Sequence, residues 1–193
     1  MDTNAADTGS KVKILGIVGS LRKNSFNKAL MRVALDLVPA NAQLEVYDIE
    51  GMPLFNQDLE NQPPEIVKQF KARIRSADAI LIATPEYNYS IPGVLKNAID
   101  CASRPYGDNA FDGKPVAVMG ASVGMLGTAR AQYHLRQSFV FLNMLPINRP
   151  EVMVTFAEKK CDQNGNLTDE TTKKLVKELL ENLVAWTKKL RGA

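Results

Sequence analysis

Four short apolar runs constrain what this chain can fold into more than any other feature: residues 12–18, Leu44 to Tyr47, Ala79 to Ala83 and Val116 to Gly120. A strand buried on both faces reads as a near-continuous apolar run rather than an alternation, so these runs are expected to be strands inside a covered sheet. Between them the period changes. Phe26, Leu30, Val33 and Leu37 recur at helical spacing, as do Ile66 or Val67, Phe70 and Ile74, and near the end Leu175, Leu179, Leu183 and Trp186. Further helices are expected at Val94 to Ala102 and Thr128 to Leu142, a fifth short strand within Leu145 to Val154, and Thr168 as N-cap of the last helix. Strand and helix thus alternate five times. With right-handed crossovers, that order predicts an α/β fold with a parallel, doubly wound sheet and helices on both faces. A chain of 193 residues suits one such domain, expected over 11–193 behind a loose polar arm at 1–10.

Composition narrows the partners. The 24 basic and 21 acidic residues give a net charge of +3, and no basic run interleaved with aromatics suggests nucleic acid. No apolar run is long enough to span a bilayer, and residues 1–10 lack the basic start and apolar core of a secretion signal. The expected compartment is the cytoplasm and the expected partners are small molecules. Cys101 and Cys161 fit neither a disulfide framework nor a metal-ligand spacing, and His134 has no neighbouring ligand residue.

In a doubly wound sheet, ligands bind beyond the carboxyl ends of the strands, so the turns after strands one, three and four are expected to share a site. The first, Gly19 to Asn27, joins a strand to a helix start and carries Ser20, Arg22, Ser25 and Asn27. Unpaired N–H groups and the helix dipole favour an anion there, although the same residues also suit a capped helix without ligand. It is neither a Walker loop nor a G-x-G-x-x-G dinucleotide turn, which leaves a phosphate monoester as the best match. The second turn, Thr84 to Gly93, sets Tyr87 and Tyr89 among prolines, amides and a carboxylate, a surface suited to a flat heteroaromatic ring or simply a rigid proline turn. The third, Gly120 to Gly127, contains G-x-S-x-G centred on Ser122. A serine hydrolase would need a histidine base at Ser122, and His134 is expected to lie turns away along the next helix, pointing from the elbow. That makes a serine esterase the remote alternative. One ligand would use all three turns: a phosphate on the first and a flat ring between the others, the shape of flavin mononucleotide (FMN).

With these residues the chain resembles the NAD(P)H-dependent FMN reductases of the flavodoxin-like superfamily, which include bacterial quinone and chromate reductases. The resemblance runs from Lys13 to Lys189 and rests on Gly19 to Asn27, Pro53-Leu54-Phe55-Asn56-Gln57-Asp58, and Thr84 to Asp100. It implies a flavodoxin-like three-layer sandwich with a five-stranded parallel sheet in the order 2-1-3-4-5. It implies FMN held by Ser20, Arg22, Ser25 and Asn27 at the phosphate, with Phe26 also in contact with the cofactor, and by Pro85, Glu86, Tyr87, Asn88, Ser122 and Gly124 at the ring. It further implies NADPH or NADH as donor, ping-pong hydride transfer through flavin N5 to quinones, chromate, azo compounds or free flavin, and a homodimer or homotetramer. No catalytic side chain is then required. Tyr87, Arg104 and Arg130 stand where they could meet substrate, and plain surface placement suits both arginines equally. No 2′-phosphate site stands out beyond Arg22 and Lys23. A flavodoxin-type electron carrier is the alternative, but such carriers are strongly acidic and this chain is not. The long irregular stretch Glu50 to Pro64 suits either a functional loop or a packed connector.

Overall fold

A computed structural model describes residues 10–192. The arm expected at 1–10 lies outside them apart from Ser10. The elements alternate as β1 (Val12–Val18), α1 (Phe26–Asp36), β2 (Ala42–Tyr47), α2 (Glu65–Ser76), β3 (Ala79–Ala83), α3 (Gly93–Ala102), β4 (Pro115–Ala121), α4 (Ala129–Leu142), β5 (Leu145–Pro146), β6 (Val152–Val154) and α5 (Glu170–Leu190). All pairings are parallel, in the order β2-β1-β3-β4 with β5 and β6 both beside β4. The architecture is the flavodoxin-like sandwich the sequence points to.

Side-chain alternation in the sheet divides the core. Ile14, Leu81, Ala83, Ala117 and Met119 face α1 and α5, where Leu30, Val33, Val176, Leu179 and Leu183 cover them. Leu15, Ile17, Ile80, Ile82, Val116 and Val118 face α2, α3 and α4, under Phe70, Ile74, Leu95, Ile99, Leu135 and Phe139. Every residue of β3 and β4 is buried, while the edge strand β2 is largely open. Each large side chain so buried contributes about 1.5–3 kcal/mol, and this double burial produces the uninterrupted apolar runs.

Two expectations need correction. The fifth strand is two pieces: Leu145 and Pro146 pair with Pro115 and Val116, and Val152 to Val154 pair with Met119 to Ala121. Pro146 and Pro150 offer no N–H, so a continuous ladder across 145–154 cannot form. The N-cap of α5 is Asp169, whose carboxylate accepts from the Thr172 N–H (2.8 Å) and hydroxyl (2.6 Å). Thr168 is instead turned back, its N–H and hydroxyl both donating to the Lys160 carbonyl. A carboxylate also answers the helix dipole better than a hydroxyl. Among the described residues, no helix is long and apolar enough to cross a membrane.

Candidate active site

The turns after β1, β3 and β4 converge on one open cleft of about 320 Å³, lined by Ser20, Arg22, Ser25, Phe26, Asn27, Pro85, Glu86, Tyr87, Ala121, Ser122 and Val123. Of the residues expected to hold a cofactor, Asn88 and Gly124 fall outside this lining. Ala121 and Val123 lie between residues that the sequence singled out, and backbone-lining positions of that kind carry no side-chain signal.

At the β1 end, Ser25 caps α1, its hydroxyl oxygen accepting the Asn27 N–H at 3.2 Å. Buried Asn27 ties this turn to β4: its amide donates to the Ala121 carbonyl and accepts the Ala121 N–H, both at 2.9 Å. Among the described residues, the backbone N–H groups of Arg22, Lys23 and Asn24 donate to no protein oxygen. The first turn of α1 carries no acidic residue. The Arg22 guanidinium stands 5.1 Å above the Phe26 ring, at the exposed mouth. Free donors, a helix N-terminus and a cation that pairs with no carboxylate among the described residues make this end attractive to a dianion.

At the β3 end, Tyr87 and Ser90 pair through both backbone bonds (3.1 and 3.0 Å) around Asn88 and Tyr89, whose φ values are +48° and +70°. Positive φ at both central positions makes a tight hairpin turn, which carries Asn88 outward to its tip. Glu86 points inward. Its carboxylate accepts the N–H groups of Arg130 (3.0 Å) and Ala131 (3.2 Å) at the start of α4 and pairs with the Arg130 guanidinium. The N-cap residue of α4, Thr128, makes no side-chain cap, so Glu86 does that work from 44 residues away. Arg130 also lies 3.5 Å from the Tyr89 ring centre, held between carboxylate and aromatic face. Thus Glu86 and Arg130 fasten the β3 turn to α4, and Tyr87, half exposed, remains as the aromatic wall of the cleft.

The G-x-S-x-G turn is no nucleophile elbow. Ser122 accepts the Gly124 N–H at 3.1 Å, and His134 bonds through Nδ1 to the Ser90 hydroxyl at 3.0 Å, so the imidazole reaches the β3 turn rather than Ser122. The glycines needed here are others. A Cβ on Gly120 would stand 2.5 Å from the Thr84 carbonyl oxygen, and Gly127 combines φ +53° with Met153 backbone 2.7 Å away. The first approach brings β4 against the β3 turn, and the second seats the β4 turn on β6.

Arg104 and Arg130 both lie outside the cleft lining. Arg104 stacks 4.1 Å over Tyr106 and borders a separate small cavity beneath the 53–64 loop. Asn97, which the sequence did not single out, anchors that loop by accepting the Phe55 N–H and donating to the Pro53 carbonyl, both at 2.8 Å. Buried Cys101 donates weakly to the same carbonyl at 3.6 Å, and burial pushes its thiol pKa up, as it does for Cys161. Neither thiol is activated.

Residues 12–159 match the model of the NADPH-dependent FMN reductase family. The chain belongs to that family. It is 51% identical over 182 residues to an NAD(P)H-dependent FMN reductase of Pseudomonas aeruginosa, covering 94% of this chain and 98% of the relative. It is 44% identical over 180 residues to a 2-hydroxy-1,4-benzoquinone reductase of a Burkholderia species, covering 93% and 98%. Among solved structures, the flavoenzyme NAD(P)H:(acceptor) oxidoreductase FerB of Paracoccus denitrificans superposes with a TM-score of 0.84 at 39% identity, covering 92% of this chain and 98% of that one. The turns that form the cleft in this FMN reductase chain all fall within the matched segment.

Proposed function

We propose that this protein is an FMN-dependent NAD(P)H oxidoreductase that reduces quinones, with chromate, azo compounds and free flavin as further candidate acceptors. One observation carries the reading: three separate turns build a single cleft with a cationic, donor-rich end and an aromatic, proline-stiffened end. That asymmetry fits FMN, whose phosphate would meet Ser20, Arg22, Ser25 and the free N–H groups of Arg22 to Asn24. Its ring would lie between Pro85-Glu86-Tyr87 and Ala121-Ser122-Val123. Relatives named for FMN and quinone reduction support the same reading.

When bound, FMN supplies the two-electron chemistry, taking hydride from a nicotinamide donor and passing both electrons to the acceptor. The chain's own residues position and stabilise. Ser25 holds the start of α1 toward the phosphate, and Asn27 fixes that turn against β4. Glu86 and Arg130 keep the β3 turn against α4, so that Tyr87 presents a fixed wall and leaves one ring face open to donor and acceptor in turn. No side chain is asked to move a proton.

Three aspects belong to the same proposal. A homodimer or homotetramer is favoured by α4, where Tyr133, Val140 and Phe141 are 50%, 84% and 70% exposed, a costly amount of apolar surface for a monomer. The working compartment is the cytoplasm. The net charge of +3 favours an enzyme over a flavodoxin-type carrier that would bind FMN without oxidising NAD(P)H. Steady-state oxidation of NADPH and NADH by FMN-loaded protein with benzoquinone tests the proposal. Turnover with parallel double-reciprocal plots is expected, whereas a protein that binds FMN but fails to oxidise either nucleotide is the carrier.

A further inference from the structure

Beside the FMN cleft lies a second groove, of about 330 Å³, between α1 and the edge strand β2. Ser20 lines both, so the two adjoin at the turn that carries Arg22 and Lys23. The groove walls include Leu35 and Val46, 40% and 38% exposed, which offer apolar surface to a flat ring. Lys28 and Arg32, four residues apart on one face of α1, supply two cations. Lys28 Nζ donates to the Leu21 carbonyl at 3.4 Å and Arg32 to the Gly165 carbonyl at 2.9 Å. Both partners are neutral, and neither cation pairs with a carboxylate among the described residues. At the carboxyl end of β2, Asp48 accepts the Glu50 N–H at 3.0 Å through Oδ1, which leaves Oδ2 for a hydroxyl.

We propose that the α1–β2 groove is an adenosine-phosphate subsite that receives the 2′-phosphoadenosine end of NADPH while its nicotinamide end occupies the FMN cleft. The inference rests on the function proposed above. The chain lacks the glycine-rich turn of a dinucleotide fold, yet it shares that fold's placement of an acidic residue at the end of the second strand, the position that holds an adenosine ribose with a nearby arginine on a 2′-phosphate. Here two cations outnumber one carboxylate. Lys28 and Arg32 take the 2′-phosphate, Asp48 takes the adjacent ribose hydroxyl, and the purine covers Leu35 and Val46. With Arg22 on the FMN phosphate, exposed Lys23 in the turn between groove and cleft is left to face the pyrophosphate that crosses it. The groove therefore makes the enzyme prefer NADPH to NADH.

The test measures KM for both nucleotides in FMN-loaded protein with saturating benzoquinone, for wild type, Lys28→Met, Arg32→Leu and the double variant. Each substitution is expected to raise KM for NADPH about tenfold, the scale of one charge-assisted phosphate contact, with kcat and the KM for NADH unchanged. Adenosine 2′,5′-bisphosphate, titrated calorimetrically, is expected to bind wild type and to fail with the double variant. Val46→Trp fills the groove while leaving both cationic residues in the chain and should abolish the same binding. Equal KM shifts for the two nucleotides, or none, overturn the inference while quinone reduction leaves the proposed function standing. If instead the protein takes up no FMN, the proposed function falls, and the bisphosphate titration still decides the groove.

Discussion

Replacing Glu86 with alanine should destabilise the protein even in the absence of any ligand. The carboxylate is only 7% exposed and holds two helix N–H groups and one guanidinium. Losing a helix cap costs about 1 kcal/mol. The ion pair falls between two limits: exposed pairs contribute ~0–1 kcal/mol, whereas breaking a fully buried pair costs ~3–5 kcal/mol. Arg130 is 32% exposed and can recover some hydration when its partner goes, which places this term at about 1–2 kcal/mol. The sum is about 2–3 kcal/mol, or roughly 7 °C in melting temperature for a chain of this size. Circular dichroism melts of FMN-free protein isolate the effect, because bound FMN would add its own linkage to stability. Glu86→Gln keeps an acceptor for the helix but loses the charge, and should fall about halfway. If FMN-free Glu86→Ala melts within about 1 °C of wild type, the carboxylate is not fastening the β3 turn to α4, and the account of how the cleft is held fails.

Other outcomes follow from the same geometry. Asn27→Leu strands the buried Ala121 N–H and carbonyl and should cost about 2–4 kcal/mol in urea-unfolding free energy; an unchanged urea midpoint would contradict the α1–β4 tie. Ser20→Ala and Arg22→Ala should weaken FMN retention in equilibrium dialysis while leaving kcat near wild type in excess FMN, and equal affinity would show that the phosphate end is misplaced. Ser122→Ala should retain quinone reduction, and wild type should not label with a fluorophosphonate; labelling at Ser122 would revive the esterase. The Asp108 carboxyl is held below its usual range, first by the hydrogen bond from Lys71, with the charges of Lys71 and Arg75 reinforcing it and burial opposing it. Its contribution to stability is therefore complete above the unfolded value near pH ~4 and lost as pH falls through the lower folded value. Melting temperatures from pH 6 to 3 should drop less steeply in Asp108→Asn than in wild type.

The sheet was readable because β1, β3 and β4 are covered on both faces, and double burial writes itself as an apolar run. The cleft was readable because strand order alone brings the turns after β1, β3 and β4 together. What hid were pairings between distant residues with no periodicity to mark them. Asn27 looks like a phosphate donor beside Ser25, yet its amide reaches Ala121 across 94 positions. Glu86 looks like a ring contact in its tyrosine-rich turn, yet it caps a helix whose own start, Thr128-Ala129-Arg130, supplies no side-chain cap. In sequence Thr128 reads as an ordinary N-cap, and only its backbone φ of +75° takes its hydroxyl out of that role, so nothing in the sequence announces the need for Glu86. For Arg104 the sequence leaves substrate contact and plain surface placement equally open. Adjacency in sequence to α3 does not bring it to the cleft, because the chain turns it onto Tyr106 under the 53–64 loop.

If the cleft at the ends of β1, β3 and β4 binds FMN and presents it to a nicotinamide donor, each step should show in the flavin spectrum. Anaerobic spectrophotometry of purified protein titrated with FMN, then with NADPH, then with benzoquinone tests it most directly. Uptake of one FMN per chain is expected, followed by loss of the oxidised-flavin absorbance on NADPH addition and its full return with the quinone. A protein that takes up no FMN, or whose bound FMN keeps its oxidised spectrum under excess NADPH and NADH, would contradict it.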